Sequence, residues 1–203
     1  WLKPLAEVSS IFCSSACCGC SQEHFFPPTL VATPGSTMAE ESWDAQLQEY
    51  MIDSEQCIAA GLAQLEDGAF YAAAPVAGEA GWGIIYKEDH EEDILQEDGE
   101  TTKKVTITES TTLKATIDNL KAPPEGLWLG GNKYRITKTD AKEESGDYTF
   151  KWVQGNYPKH GVHIVATNTQ IIVGFYDEEK GQTSGNCKKA TVDFAAYLAS
   201  IGY

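Results

Sequence analysis

The sequence is short of positive charge, and above all of arginine. It has 15 Lys and Arg residues against 30 Asp and Glu residues, a net charge of −15, and Arg135 is its only arginine. A negative field of this size repels phosphate backbones and anionic lipid head groups. One arginine also offers little bidentate recognition of phosphate. The composition therefore argues against nucleic-acid binding and against generic binding to membrane surfaces.

Long hydrophobic runs are absent as well. No stretch approaches 18 consecutive apolar residues without a charge, so the sequence predicts no membrane-spanning helix. Hydrophobic residues still make up 42% of the chain and aromatic residues 10%, which is ordinary for a globular protein with a core. The length of 203 residues suits one domain, or one domain with a tail. Disorder along the whole chain, a collagen-like chain and a coiled coil are thereby excluded.

Cysteine is scarce after the first 20 residues, where only Cys57 and Cys187 occur. Two isolated cysteines predict free thiols in a reducing compartment and not a disulfide framework. A single cross-link between these two remains an open alternative.

Residues 1–37 differ in composition from the rest. They are rich in serine, are broken by prolines and show weak periodicity. Four of the six cysteines crowd into this stretch: Cys13, Cys17, Cys18 and Cys20. We expect a disordered extension or an artefact of start-site choice, with the domain proper at 38–203. A secretory signal, a zinc site that includes His24 and palmitoylation of the cysteines are weaker interpretations.

Periodicity in the remaining sequence predicts short strands between terminal helices. Helical spacing predicts a first helix after Ser42 with Trp43, Leu47, Tyr50 and Met51 on one face, a short helix at about 111–120, and a last helix at about 186–200. Strands are predicted at about 58–65, 69–74, 83–86, 103–108, 127–137, 147–154, 161–166 and 170–176. This order predicts an α+β fold with an antiparallel meander, in which both end helices cover one sheet face.

The sequence offers little for catalysis. It has four histidines and none of the sequence motifs of hydrolases, phosphate loops, zinc proteases or dinucleotide-binding enzymes. A pair of His163 with Cys57 or Cys187 remains open, but core packing of these side chains is the better interpretation. We predict a protein that is not an enzyme and needs no cofactor.

Eight carboxylates lie within residues 87–100. The run lacks the alternating ligands of an EF-hand loop, so a metal site is the weaker interpretation. Mutual repulsion favours an extended, solvated hairpin or loop. An acidic arm that contacts a basic protein surface is a further alternative.

Several aromatic side chains lie at the two ends of the predicted domain. Trp43 opens the first helix, and Tyr197 and Tyr203 lie on or after the last. Each ring alone is best explained by core packing. Together the two end helices could expose a shallow aromatic platform, which suits the flat rings of a polyproline II segment. The pair Lys188 and Lys189, at the start of the last helix, hints at a partner, although two solvated lysines are the commoner explanation.

The order of several motifs resembles that of the profilin family, most closely its apicomplexan branch. These motifs are Ser-Trp at 42–43, Tyr-Lys-Glu-Asp-His-Glu-Glu at 86–92, Gly-Leu-Trp-Leu-Gly-Gly-Asn-Lys-Tyr at 126–134, Val-Gly-Phe-Tyr-Asp-Glu-Glu-Lys at 173–180 and Ala-Tyr-Leu-Ala-Ser-Ile-Gly-Tyr at 196–203. The similarity covers about residues 42–203, and its strength lies in the common order of the motifs.

The resemblance implies a central antiparallel sheet with the end helices on one face and a short helix on the other. It implies a cytoplasmic, monomeric protein that binds monomeric actin and proline-rich segments such as those of formins. The implied proline-rich-ligand site is Trp43, Tyr71, Tyr197 and Tyr203, and the implied actin-binding residues are Lys133, Arg135, Lys188 and Lys189. An acidic arm at about 86–107 is implied to contact actin. Gln46 replaces an aromatic residue of many profilins, and the net charge makes phosphoinositide binding weak or absent.

One alternative belongs to another class. A small-ligand sensor of PAS-like or longin-like type also places helices around an antiparallel sheet. It predicts a pocket within the sheet and needs no aromatic platform at the chain ends.

Overall fold

The computed structural model describes residues 42–95 and 101–203, so the predictions made for residues 1–37 lie outside it. The helices are α1 (Trp43–Leu47), α2 (Ala80–Ile85), α3 (Glu109–Asn119) and α4 (Ser184–Ser200). The strands are β1 (Ala59–Gln64), β2 (Phe70–Ala74), β3 (His90–Leu95), β4 (Thr102–Ile107), β5 (Leu127–Leu129), β6 (Asn132–Ser145), β7 (Tyr148–Tyr157), β8 (His160–Ala166) and β9 (Gln170–Asp177). A π-helical turn, Gln48–Ile52, continues α1.

Seven strands form one antiparallel sheet in the order β2-β1-β9-β8-β7-β6-β5. The predicted meander is confirmed, and β1 enters the sheet beside β9. Every residue of β9 is buried. A strand in an antiparallel sheet commonly exposes one face to water, so burial along all of β9 means that packed elements cover both faces.

Two hydrophobic cores lie on the two faces of this sheet. One contains Leu47 and Met51 from the first helical segment and Leu198 from α4. The other contains Leu113 and Ile117 from α3. The end helices therefore share one face and the short helix covers the other, as predicted.

The acidic segment contains a separate two-stranded hairpin. Strands β3 and β4 pair from His90 with Ile107 to Leu95 with Thr102. Side chains along β3 alternate between exposed and half-buried, and Lys104 forms an exposed ion pair of 3.6 Å with Glu91. Residues 90–95 and 102–107 thus form an extended hairpin, whereas residues 96–100 of the predicted acidic run lie outside the described residues. The role of the hairpin as an actin-contacting arm stays a prediction.

The strand predicted at 83–86 is wrong, because these residues belong to helix α2 and its exit. A short apolar run cannot be assigned to helix or strand from periodicity alone. Gly81, in the first turn of α2, packs directly against the end of β2, because an added Cβ would lie 2.6 Å from the carbonyl carbon of Ala74. The amide of Gly81 also donates to the carbonyl oxygen of Pro75 at 2.9 Å.

Two further boundaries differ from the predictions. The strand predicted at 127–137 is a hairpin, because Gly130 and Gly131 have φ of +57° and +75° and turn β5 into β6. The last helix begins at Ser184, two residues early, because the Thr183 side chain accepts from the amide of Asn186. Lys188 and Lys189 therefore lie in the second turn of α4 and not at its start.

Candidate functional site

The ring of the first tryptophan meets the ring of the last residue. Trp43 and Tyr203 have centroids 5.0 Å apart in an edge-to-face arrangement. Trp43 is half-buried, and Tyr203 is 41% exposed. The two ends of the described domain therefore place an aromatic pair at the surface, as predicted.

A glycine-terminated helix end turns Tyr203 back toward α1. Gly202 has φ of +100°, the left-handed conformation that favours glycine after a helix. The amide of Gly202 donates to the carbonyl of Ala199 at 3.2 Å, and that of Tyr203 to Leu198 at 3.0 Å. These two bonds form a Schellman motif, which fixes the direction in which the chain leaves α4.

Helix α1 is fixed to the sheet by two side-chain acceptors. Asp44 accepts from the amide of Ala73 at 2.7 Å. Gln48 accepts from the amide of Val76 at 3.2 Å. Since Ser42 also caps α1 by accepting from Ala45, the position of Trp43 relative to β2 is set by hydrogen bonds as well as by packing.

Tyr71 on β2 is the third predicted ring at this site. It is half-buried and packs against the same core as Trp43. Burial, with a smaller contribution from the nearby Tyr203, raises the pKa of Tyr71 to about 12. Its hydroxyl is buried without a hydrogen-bond partner among the described residues. The group therefore stays protonated at neutral pH.

Tyr197 on α4 is half-buried and stacks on Tyr50, with centroids 4.8 Å apart and an interplanar angle of 22°. Tyr50 lies in the π-helical turn, is 43% exposed and also contacts Phe194 at 5.4 Å. Sequence reasoning did not assign Tyr50 to the site. Its spacing of seven residues from Trp43 was the available signal, since this spacing places both rings on one helix face.

Gln46 stands where an aromatic residue was expected from the resemblance. It is half-buried, and its side-chain oxygen is buried with no hydrogen-bond partner among residues 42–95 and 101–203. The aromatic ledge, defined as Trp43, Tyr71, Tyr197 and Tyr203, therefore has a polar position between its rings.

The two predicted lysines of α4 differ in the contacts that hold their side chains. Lys188 forms a 2.7 Å ion pair with Glu143 and lies 4.0 Å from the centroid of the Trp152 ring. Lys189 pairs with Asp193 one turn along the same helix and is more exposed. Lys188 is thus held by both charge and the indole face, whereas Lys189 extends into solvent.

Lys133 and Arg135 lie at the start of β6 and are exposed. They line a groove of about 740 Å³ between β6 and the loop after α3, together with Lys121 and Lys138. Arg135 on β6 lies opposite Asn156 on the neighbouring strand β7. Asn156 is four residues from Trp152 along β7, so both side chains are on the same sheet face. Arg135 therefore lies about 13 Å along the sheet from the ring that supports Lys188. We call Lys133, Arg135, Lys188 and Lys189 the basic surface.

His163 lies beneath the start of α4. The Trp152 indole N–H donates to His163 Nδ1 at 3.2 Å, and His163 Nε2 lies 3.1 Å from Ser184 Oγ. Burial lowers the pKa of His163 to about 4. Because Nδ1 accepts, the neutral ring carries its proton on Nε2 and donates to Ser184. The ring therefore cannot act as the general base of a Ser–His pair.

The two cysteines contact each other and not a histidine. Cys57 Sγ and Cys187 Sγ are 3.2 Å apart, and both are buried free thiols. The contact with Cys57, together with burial, raises the pKa of the Cys187 thiol. A protonated, buried thiol is a poor nucleophile. The Cys–His pair left open by the sequence is therefore not formed.

Glu109 holds the base of the β3–β4 hairpin. This fully buried carboxylate accepts from the amides of Lys87, Gly130 and Gly131 at 2.9, 2.9 and 2.6 Å. Burial raises the pKa of Glu109, although the three backbone bonds act in the opposite direction. One side chain thus links the hairpin, the β5–β6 turn and the first turn of α3. No sequence pattern indicates this role of Glu109.

Neither a metal cluster nor a membrane span is found in the part of the chain that the structure describes. Over residues 42–95 and 101–203, no three His, Cys, Asp or Glu side chains are grouped to hold a metal ion. Over the same residues, no helix is both long and apolar enough to cross a membrane.

Comparisons with known proteins agree with the resemblance seen in the sequence. The family model described as profilin matches residues 41–203. Profilin of Plasmodium falciparum (isolate 3D7) is 38% identical over 169 residues, which cover 80% of this chain and 98% of that protein. Profilin of Plasmodium berghei is 35% identical over 167 residues, which cover 79% and 95%.

Comparison with solved structures shows that the chain has the fold of known profilins. Acanthamoeba castellanii profilin IB has a TM-score of 0.54 at 21% identity, with 80% of this chain and 100% of that chain covered. No match supports the PAS-like or longin-like sensor. The chain therefore belongs to the profilin family, the actin-binding proteins that regulate actin polymerisation.

Proposed function

We propose that this chain binds proline-rich segments, such as those of formins, on the aromatic ledge and monomeric actin on the basic surface. The observation that carries the first site is the 5.0 Å contact between Trp43 and Tyr203, with Tyr203 41% exposed. Rings in a core are covered by neighbours, whereas these rings remain open to solvent from one side.

The ledge suits a polyproline II helix for two physical reasons. Such a helix is stiff before binding, so it loses little entropy, and its flat rings pack on aromatic faces. Its carbonyl groups make no internal hydrogen bonds. The Tyr71 hydroxyl has no partner among the described residues but is buried, so it does not meet these carbonyl groups unless the side chains around it move.

The basic surface contains four cationic side chains in a protein whose net charge is −15. Lys188 is fixed by Glu143 and Trp152, and Arg135 lies on the same sheet face. Fixed cations on a strand and helix surface favour a complementary acidic face of a globular partner. The acidic hairpin within 86–107 contacts a separate, basic patch of the same partner. Phosphoinositide binding is expected to be weak or absent, because the overall field opposes it.

The mechanism is binding alone, without catalysis or cofactor. Coverage of one actin face blocks some subunit additions, while capture of a proline-rich segment delivers the complex to a nucleator. The protein acts as a cytoplasmic monomer. The neutral, Nε2-protonated His163 and the protonated thiol of Cys187 support this non-catalytic assignment.

Pyrene-actin assembly with the full chain tests the actin site. We expect altered elongation in the presence of wild type and a weaker effect for Lys188→Ala, which removes the cation but leaves α4 capped by Thr183. Lys114→Ala on α3 is the control, because Lys114 lies beside Gly68 in the β1–β2 turn and pairs with Asp118 of its own helix. No effect of wild type at saturating concentration on either filament end would refute the actin assignment.

Octaproline titration followed by tryptophan fluorescence tests the ledge. We expect a saturable change for wild type that is lost in Trp43→Ala. A fully buried core tryptophan would cost about 3–5 kcal/mol of stability on truncation. Half-buried Trp43 is expected to cost less, so the variant stays folded in thermal unfolding while its peptide response disappears. A wild-type protein without any response to octaproline would contradict the proposal.

A further inference from the structure

We infer that Tyr50 and Tyr197 form a second aromatic subsite for proline-rich segments, one polyproline turn away from the Trp43–Tyr203 pair. The inference rests on the proposed proline-rich-ligand site and extends it. It concerns which lengths of proline-rich segment the chain prefers, and it adds Tyr50, which the family resemblance does not assign to the ledge.

The second pair is stacked where the first is edge-to-face, but its rings lie equally close together and one of them is equally exposed. Tyr50 and Tyr197 stack at 4.8 Å, and Tyr50 is 43% exposed. Both rings contact Phe194, at 5.4 and 6.1 Å, and Phe194 is only 1% exposed. The pair therefore rests on a buried side chain, which holds both rings in place and lowers the entropy that a ligand must remove.

The spacing of the two pairs corresponds to the pitch of the ligand. Trp43 and Tyr50 are seven residues apart on one continuous helical segment, or about 10 Å along its axis. A polyproline II helix repeats every three residues, or about 9 Å. A ligand that lies along this segment thus presents equivalent faces to the two pairs.

The polar position between the pairs separates them into two subsites. Gln46 lies between Trp43 and Tyr50 along the helix and supplies no ring. Beyond Tyr50, a cavity of about 270 Å³ continues the surface between the π-helical turn and α4. The charged side chains that line it, Lys189 and Asp193, pair with each other. The extended surface therefore offers rings and a self-neutralised ion pair, which suits an uncharged proline-rich chain and not a charged one.

Peptide length gives a direct test. Diproline spans about 6 Å, which is less than the separation of the two pairs, and can fill only one of them, whereas decaproline spans about 31 Å and can reach both. Binding of each peptide to the full chain is measured by calorimetry, or by NMR titration where affinity is weak. For Tyr50→Ala we expect decaproline affinity to fall about tenfold, which corresponds to about 1.4 kcal/mol. Diproline affinity should stay within about twofold of wild type.

Three variants serve as controls. Tyr50→Phe keeps the ring and should bind both peptides as wild type does. Tyr50→Leu keeps an apolar cover over Phe194 and should repeat the decaproline loss, so it replaces Tyr50→Ala if that variant unfolds. Tyr148→Ala removes another exposed tyrosine that stacks on a buried phenylalanine, Phe150. Tyr148 lies four strands from Tyr71 across the sheet, or about 19 Å, so its removal should change neither affinity.

The outcomes separate this inference from the proposed function. If wild type binds neither peptide, the proposed proline-rich-ligand site is itself wrong. If Trp43→Ala abolishes binding while Tyr50→Ala and Tyr50→Leu change neither affinity, the ledge stands and the second subsite is refuted. An equal loss for both peptides in Tyr50→Leu would also refute it, because Tyr50 would then act through the first pair.

Discussion

Acid should destabilise this fold through one buried side chain, His163. The ring is 1% exposed, and it stacks on Trp152 and Tyr176 at 5.8 and 5.6 Å. Protonation would add a proton to Nδ1, which accepts from the Trp152 indole. It would also place a second positive charge near Lys188, which already lowers the pKa of His163.

The size of the effect follows from the two protonation equilibria. The pKa of His163 is about 4 in the folded chain, against 6.5 for an unperturbed histidine. Between these values the unfolded chain binds more protons, so stability is present above pH 6.5 and is lost as the pH falls toward 4. One pKa unit corresponds to about 1.36 kcal/mol. Between about pH 7.5 and pH 5, His163 alone should therefore remove about 2 kcal/mol from the free energy of unfolding.

Urea unfolding at these two pH values, for wild type and for His163→Gln, measures this contribution. The glutamine side chain can hydrogen-bond but does not titrate, so its variant keeps the pH dependence of all carboxylates and lacks that of His163. The drop in stability on acidification should be about 2 kcal/mol smaller in the variant, whatever its stability at neutral pH. If the free energy of unfolding falls by the same amount in both proteins, the pKa of His163 is not lowered in the folded chain and the argument is refuted.

Two other substitutions test parts of the scaffold that position the sites. Glu109→Ala leaves three amide donors, those of Lys87, Gly130 and Gly131, without their acceptor. We expect the free energy of unfolding in urea to fall by about 3 kcal/mol or more, and amide exchange at these residues to become faster. Unchanged exchange would contradict the role assigned to Glu109. Gly174→Ala would place a Cβ 2.3 Å from Thr191 Oγ1 and 2.9 Å from Met51 Cε, so we expect a loss of about 1–3 kcal/mol. Gly185→Ala on α4 meets nothing within 4 Å and should instead be neutral or stabilise by up to about 1 kcal/mol; equal effects of the two glycine substitutions would show that the close contact at Gly174 is relieved without cost.

The arrangement of layers could be predicted because it follows from local patterns. Leu47 and Met51 on one helix, and Phe194 and Leu198 on another, form apolar stripes that need the cover of a sheet. The errors fell where local patterns are ambiguous. Residues 83–86 are apolar and short, so periodicity alone does not distinguish the helix that they join from a strand.

The candidate site was predictable in its members but not in its geometry. The sequence places Trp43 and Tyr203 at opposite ends of the domain, and their 5.0 Å contact depends on the Schellman turn at Gly202 and on the anchoring of α1 by Asp44. Tyr50 was missed because its stacking on Tyr197 depends on how the π-helical turn lies against α4. Such contacts are set by the packing of elements distant in sequence, which periodicity does not encode.

Helix α4 carries parts of both proposed sites, so its rigidity decides whether they communicate. Lys188 lies near one end and Ser200 at the other, about 18 Å apart along the axis. Between them Phe194, Ala195 and Leu198 are at most 1% exposed, which fixes the helix on the sheet. A ligand couples two sites only if it changes the equilibrium between two states of the element that joins them. A helix held in one position transmits little, so we expect actin and a proline-rich segment that stops short of Lys189 to bind together with nearly independent affinities.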